Sequence, residues 1–125
     1  MIRKIHLANC LMQADWAALR QDLDQRPVEG VDGKAESDNI ERVLAKYGIF
    51  PDRVELWGTG RPLREFLWSE EMADASVYIM EKVDFADLCK GQGPDIRNTH
   101  INIGTGVEHT IREVAQMVCR VVGRM

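Results

Sequence analysis

The chain has 125 residues, 45% hydrophobic and 29% charged, with three tryptophans, a composition that excludes general disorder and suits one folded domain. Its formal net charge is -4, from 16 basic and 20 acidic residues, which argues against a nucleic-acid surface and leaves room only for a local cationic pocket. Cys10, Cys89 and Cys119 lie far apart without C-x-x-C spacing, and His6, His100 and His109 form no ligand pattern with them, so neither a disulfide framework nor a metal site is expected. No apolar run reaches the roughly 18 residues of a membrane span, and no signal-type h-region follows Met1, so a soluble cytoplasmic protein is expected.

Helical spacing begins at once, with Ile2, Ile5 and Ala8 on one face. Asp15 is placed to N-cap a short helix whose Trp16, Leu19 and Leu23 share a side. Pro27, Gly30, Gly33 and several acids make 26–38 a loop. Ser37 or Asp38 then caps a helix with Ile40, Val43, Leu44 and Tyr47 at i, i+3, i+4 and i+7, stopped by Gly48 at C′. The interval 9–50 therefore reads as a self-contained helix–loop–helix excursion.

Residues 54–56 and 64–68 are strand candidates. Ser69, followed by Glu70 and Glu71, is expected to cap a helix running to Glu81 and burying Met72, Ala73, Ser76, Ile79 and Met80. The stretch 83–98 reads as an exposed loop, 100–103 as a strand, and Gly104-Thr105-Gly106 as the turn out of it. Thr110 and Glu113 form a T-x-x-E capping box for the best-patterned helix, with Ile111, Val114, Ala115, Val118, Val121 and Val122 as its core face and Gly123 as its stop. Helices separated by short, non-adjacent strands suggest an α/β or α+β piece, and both ends read as cut.

Three motifs could carry chemistry. Tyr78 and Lys82 have Y-x-x-x-K spacing, but on an ordinary amphipathic helix they read as a boundary tyrosine and a solvated lysine. Gly104-x-Gly106 half-matches a dinucleotide fingerprint, yet His109 stands where the third glycine belongs, so a tight turn is the simpler reading. In LWGTGRPLREF, Gly58 and Gly60 permit close backbone approach, Pro62 stiffens the loop and Arg64 offers a planar fork for a phosphate. An anion-holding loop and a hairpin connection with solvated arginines both fit these residues.

LWGTGRPLREFLWSEEMADA, followed by HINIGTGVEHTIREVAQMVCRVVG, closely resembles the GDP-L-fucose synthase family, the GDP-4-keto-6-deoxy-D-mannose epimerase-reductases among the extended short-chain dehydrogenases/reductases. The resemblance spans 54–82 and 99–123, with MIRKIHLA at the start, and 9–50 resembles an insertion carried by some bacterial members. It implies a two-domain enzyme of α/β class: a Rossmann-type NADP(H) domain and a smaller GDP-sugar domain, of which this chain would be a helix-rich part with a few short strands. By the same resemblance Trp57, Gly58 and Arg64 would contact the GDP moiety, with Arg61 at the rim. Lys4 would fall where the family places an arginine, a point charge in place of a fork. The NADP turn, the Ser-Tyr-Lys set and the Cys/His epimerisation pair would lie outside this chain, leaving it without a catalytic residue, cofactor or metal of its own. A homodimer is implied for the whole enzyme, with self-association possible for the piece. A non-catalytic interaction module, or a relative acting on another nucleotide sugar, remain the alternatives.

Overall fold

A computed structural model describes residues 1–123. In chain order the elements are α1 (Ile2–Met12), α2 (Trp16–Gln25), α3 (Ser37–Lys46), β1 (Leu63–Glu65), α4 (Ser69–Lys82), α5 (Phe85–Leu88), β2 (Glu108–Thr110) and α6 (Ile111–Val122). The fold is mixed α/β, with β1 and β2 paired in a short antiparallel sheet. Two compact units divide the chain: Met1–Pro62 with the residues from Thr110 onward, and Leu63–His109.

The first unit holds the core. Leu7, Ala8 and Cys10 of α1, Leu19 and Leu23 of α2, Ile40 and Leu44 of α3, and Ile49 form one buried cluster. α1 packs on both α2 and α6. The expected helix starts are explained by local bonding. Asp15 caps α2, its carboxylate accepting from the Ala18 amide at 3.0 Å. α3 begins one residue early, at Ser37, with Glu36 as N-cap. The Ser37 hydroxyl is otherwise engaged, accepting from Arg20 Nη2 at 3.1 Å. Arg20 Nη1 also donates to the carbonyls of Gly33 and Ala35, the latter at 2.7 Å, so one guanidinium organises the 26–38 loop. A Cβ on Gly33 would stand 2.2 Å from the Arg20 carbonyl oxygen, which makes glycine obligatory there.

That loop is more ordered than its composition suggests. Val28 and Val31 bridge, with Glu29 at φ 50 and Gly30 at φ 78, the paired left-handed residues of a tight hairpin turn. Gly48 lies at φ 68 after α3, as its place at C′ requires. The expected strand at 54–56 is reduced to an isolated bridge between Ile49 and Val54. α6 starts on the expected capping box, with both halves formed, and ends on Gly123 at φ 80. Asn9 Nδ2 donates to the Val122 carbonyl at 3.3 Å, meeting one of the carbonyls that a helix end leaves orphaned.

In the first unit the burial expected of α6 is only partly met, and α1 is covered unevenly along its apolar face. Ile2 is 67% exposed on α1, and on α6 only Ala115 is fully buried while Val121 is 88% exposed. Helical spacing marks one side of a helix, but α1 can cover only the part of α6 that it touches.

In the second unit no described residue is fully buried. α4 forms over the expected span, yet Met72 is 41% and Met80 82% exposed, because no second layer covers them within the unit. Its N-cap is Trp68, with no side-chain cap bond, so Ser69 is the first helical residue and not the cap. The strand expected at 64–68 is shortened to β1, and the one expected at 100–103 is displaced to β2. The Glu65 carboxylate accounts for part of the shift: it accepts from the Thr105 hydroxyl at 3.0 Å and from the Gly106 amide, anchoring the glycine turn ahead of β2. Within 83–98, Asp84 and Asp87 make a reciprocal capping box that starts α5.

Candidate nucleotide-binding loop

The loop 56–62 is built by two left-handed glycines, Gly58 at φ 80 and Gly60 at φ 71. Nothing stands within 4 Å of a Cβ added at Gly58, whereas one added at Gly60 would lie 3.3 Å from Arg112 Cβ. Gly60 thus marks where the loop lies against the first turn of α6. There the loop supplies carbonyls to the helix: Pro62 O accepts from the Ile111 amide at 3.1 Å and Gly60 O from the Arg112 amide at 3.0 Å. The Glu113 amide donates to Thr110 Oγ1 at 3.1 Å. The amides that a helix N-terminus usually offers to an anion are therefore taken up by two loop carbonyls and by the Thr110 hydroxyl. The loop's own amides at Trp57, Gly58 and Gly60 make no hydrogen bond among the described residues, and the Arg61 amide donates to Thr59 Oγ1 at 3.3 Å.

Beside the loop is an open cavity of about 340 Å³, lined by Gly58, Gly60, Arg112, Gln116 and Cys119 together with the apolar Ile5. Of the residues singled out from the sequence, Gly58 lines this cavity and Trp57, next to it, is 84% exposed. Lys4 is otherwise occupied. Its ammonium donates to the Glu55 carbonyl, and burial pushes its pKa below the ordinary lysine value, opposed by the nearby Glu55 charge. Lys4 acts here as a strut between α1 and the approach to the loop. Arg64 belongs to the second unit, exposed on β1, with Nη1 donating to the Leu63 carbonyl at 2.7 Å.

Arg112 was not anticipated. Its Nη2 donates to the Thr59 carbonyl at 3.4 Å, so it touches the loop through both main chain and side chain. One signal was available: a cation in the first turn of a helix stands against the helix dipole and calls for a reason outside the helix.

The other motifs resolve simply. The Gly104–Gly106 turn wraps the Glu65 carboxylate, and a Cβ on Gly104 would come within 2.5 Å of Glu65 Oε1. A turn already holding its own carboxylate does not fit a dinucleotide pyrophosphate. Tyr78 is 64% exposed on α4 and makes no bond to Lys82 among the described residues. No group of three or more His, Cys, Asp or Glu among the described residues is arranged to hold a metal ion. No helix among them is long and apolar enough to cross a membrane.

Comparison with known proteins agrees with the resemblance read from the motifs. GDP-L-fucose synthase of Escherichia coli (strain K12) is 49% identical over 73 residues, covering 58% of this chain and 22% of that protein. GDP-L-fucose synthase 1 of Arabidopsis thaliana is 42% identical over 72 residues, covering 58% and 19%. Among solved structures, a GDP-6-OMe-4-keto-L-xylo-heptose reductase from Campylobacter jejuni superposes with a TM-score of 0.81 at 39% identity, covering 98% of this chain and 32% of that one. A GDP-mannoheptose C4 reductase from the same organism, with NADP bound, gives 0.77 at 38% identity, covering 98% and 32%. The chain thus spans about a fifth of these sequence relatives and about a third of these structures. Residues 27–104, more than half of its length, match the NAD dependent epimerase/dehydratase family, and the chain belongs to that family.

Proposed function

We propose that this chain is the GDP-sugar-binding part of an NADP-dependent GDP-sugar epimerase/reductase, one that converts GDP-4-keto-6-deoxy-D-mannose to GDP-L-fucose. The observation that carries this reading is the 49% identity to a GDP-L-fucose synthase over 73 residues. The whole protein would be cytoplasmic, work as a homodimer and contain the 9–50 segment as an insertion in its substrate domain. Trp57, Gly58 and Arg64 are assigned to the GDP moiety, with Lys4 as a supporting charge.

The chemistry assigns this part a binding role. A 4-keto group acidifies the neighbouring C3–H and C5–H, so an acid/base pair elsewhere in the protein can invert both centres through enolates. The Gly104–Gly106 turn, occupied by the Glu65 carboxylate, does not fit the pyrophosphate of a dinucleotide cofactor. What the chain supplies is attachment of the nucleotide, remote from the reacting carbons. That attachment lets GDP binding energy hold the sugar in a reactive orientation. The exposed indole of Trp57 offers a face for a planar base or a sugar, and the left-handed glycines let a phosphate approach the main chain.

A second GDP-sugar is favoured by one observation. The GDP-heptose reductases cover 98% of the chain, the 9–50 segment included, so a GDP-heptose is the competing substrate. Calorimetric titration of the chain with GDP, with UDP as control, tests the nucleotide assignment common to both. Saturable GDP binding is expected, with UDP weaker and with affinity falling about tenfold or more in Trp57→Ala and in Arg64→Ala. Equal affinity for UDP, or GDP binding indifferent to both substitutions, would overturn it, and no binding at all would favour a non-catalytic interaction module.

A further inference from the structure

We propose that Arg112 is a positioning residue for the nucleotide loop, fixing the Thr59–Gly60 peptide so that the Gly60 N–H is presented to a diphosphate. The inference rests on the GDP reading of that loop and adds to it a residue outside the motif. Its geometry involves three contacts. The Arg112 amide lies 3.0 Å from Gly60 O, its Nη2 lies 3.4 Å from Thr59 O, and a Cβ on Gly60 would come within 3.3 Å of Arg112 Cβ. The loop is thus laid along this one residue.

A trans peptide is planar, with its C=O and N–H pointing in opposite directions. Holding Thr59 O toward Arg112 therefore turns the Gly60 N–H away from α6. That amide has no partner among the described residues, and it neighbours the exposed Trp57 and Gly58. The electrostatics support a role outside the helix. α6 already has its capping box from Thr110 and Glu113, and a cation in its first turn is unfavourable for the helix itself. Among the described residues no carboxylate pairs with the Arg112 guanidinium, which instead donates to the loop.

This arrangement makes an unusual prediction, in which ligand affinity and stability move apart. Arg112→Ala should weaken GDP binding about three- to tenfold, the range expected for one hydrogen bond. It should also speed hydrogen exchange of the Ile111 amide and of the amide at position 112, which are bonded to the loop carbonyls. The thermal midpoint should not fall, because a charge unfavourable to the helix N-terminus has been removed. Arg112→Lys, which keeps the charge and a donor, should recover part of the affinity and part of the exchange protection. Unchanged exchange at 111 and 112 in the alanine variant, or a lower midpoint without any loss of loop protection, would overturn the proposal. Should the unmodified chain bind no GDP, the functional reading falls, while the exchange measurement still decides whether Arg112 holds the loop.

Discussion

The two units share helices of similar quality and differ in what covers them. In the first, Leu19, Leu23, Ile40 and Leu44 are each at most 1% exposed. In the second, α4 is longer than α3, yet Met80, Val77 and Tyr78 are each more than half exposed. Capping, dipole and propensity are sufficient to shape a helix; burying its apolar face requires a second surface. The first unit obtains that surface from three helices and an arginine-organised loop, and the second has only a two-stranded sheet and one helical turn beside α4.

The widest separation between the units should appear in cavity-forming substitutions. Leu44→Ala should cost about 2–5 kcal/mol in urea unfolding, whereas Met80→Ala should stay within about 0.5 kcal/mol. Comparable losses would mean that α4 is covered after all. A smaller effect, confined to the first unit, is expected from Gly33→Ala. Its new methyl would meet the Arg20 carbonyl, and the displacement should cost about 1–3 kcal/mol, with the loss of protection in 26–38 visible by hydrogen exchange.

The smallest effect concerns the acid limb. The Lys46 ammonium, and after it the Tyr47 hydroxyl, bond the Glu29 carboxylate and hold its pKa below the ordinary 4.5. A carboxylate depressed on folding contributes stability that is complete above the unfolded value and disappears as pH falls through the folded one. Glu29→Gln should therefore flatten the stability profile below about pH 4.5 and leave its slope near neutrality unchanged. An unaltered acid limb would show that the Glu29 clasp contributes nothing.

Much of this arrangement could be read from the residues, for identifiable reasons. Asp15, Gly48 and the Thr110–Glu113 pair act through bonds a few residues long, so the sequence displays them fully. The short strands could not be placed in this way. Residues 100–103 look like a strand, yet pairing depends on what β1 meets, and β1 meets residues 108–110 after Glu65 has anchored the glycine turn. The Val28–Val31 hairpin was obscured because Glu29 takes a left-handed conformation that asparagine or glycine would have advertised. At the site, Trp57 and Gly58 are found on the exposed loop. The bond from Lys4 to the Glu55 carbonyl spans 51 residues and that from Arg112 to Thr59 spans 53, distances over which periodicity carries no information.

The central claim is that the loop around Trp57 receives a guanosine diphosphate. The most direct test follows the three indole N–H resonances, of Trp16, Trp57 and Trp68, while GDP is titrated into the chain, with UDP as control. The account predicts that the Trp57 signal shifts saturably with GDP and little with UDP, while that of Trp16, packed against the first unit's core, stays in place. A Trp57 signal unmoved by saturating GDP, or moved equally by UDP, would contradict it.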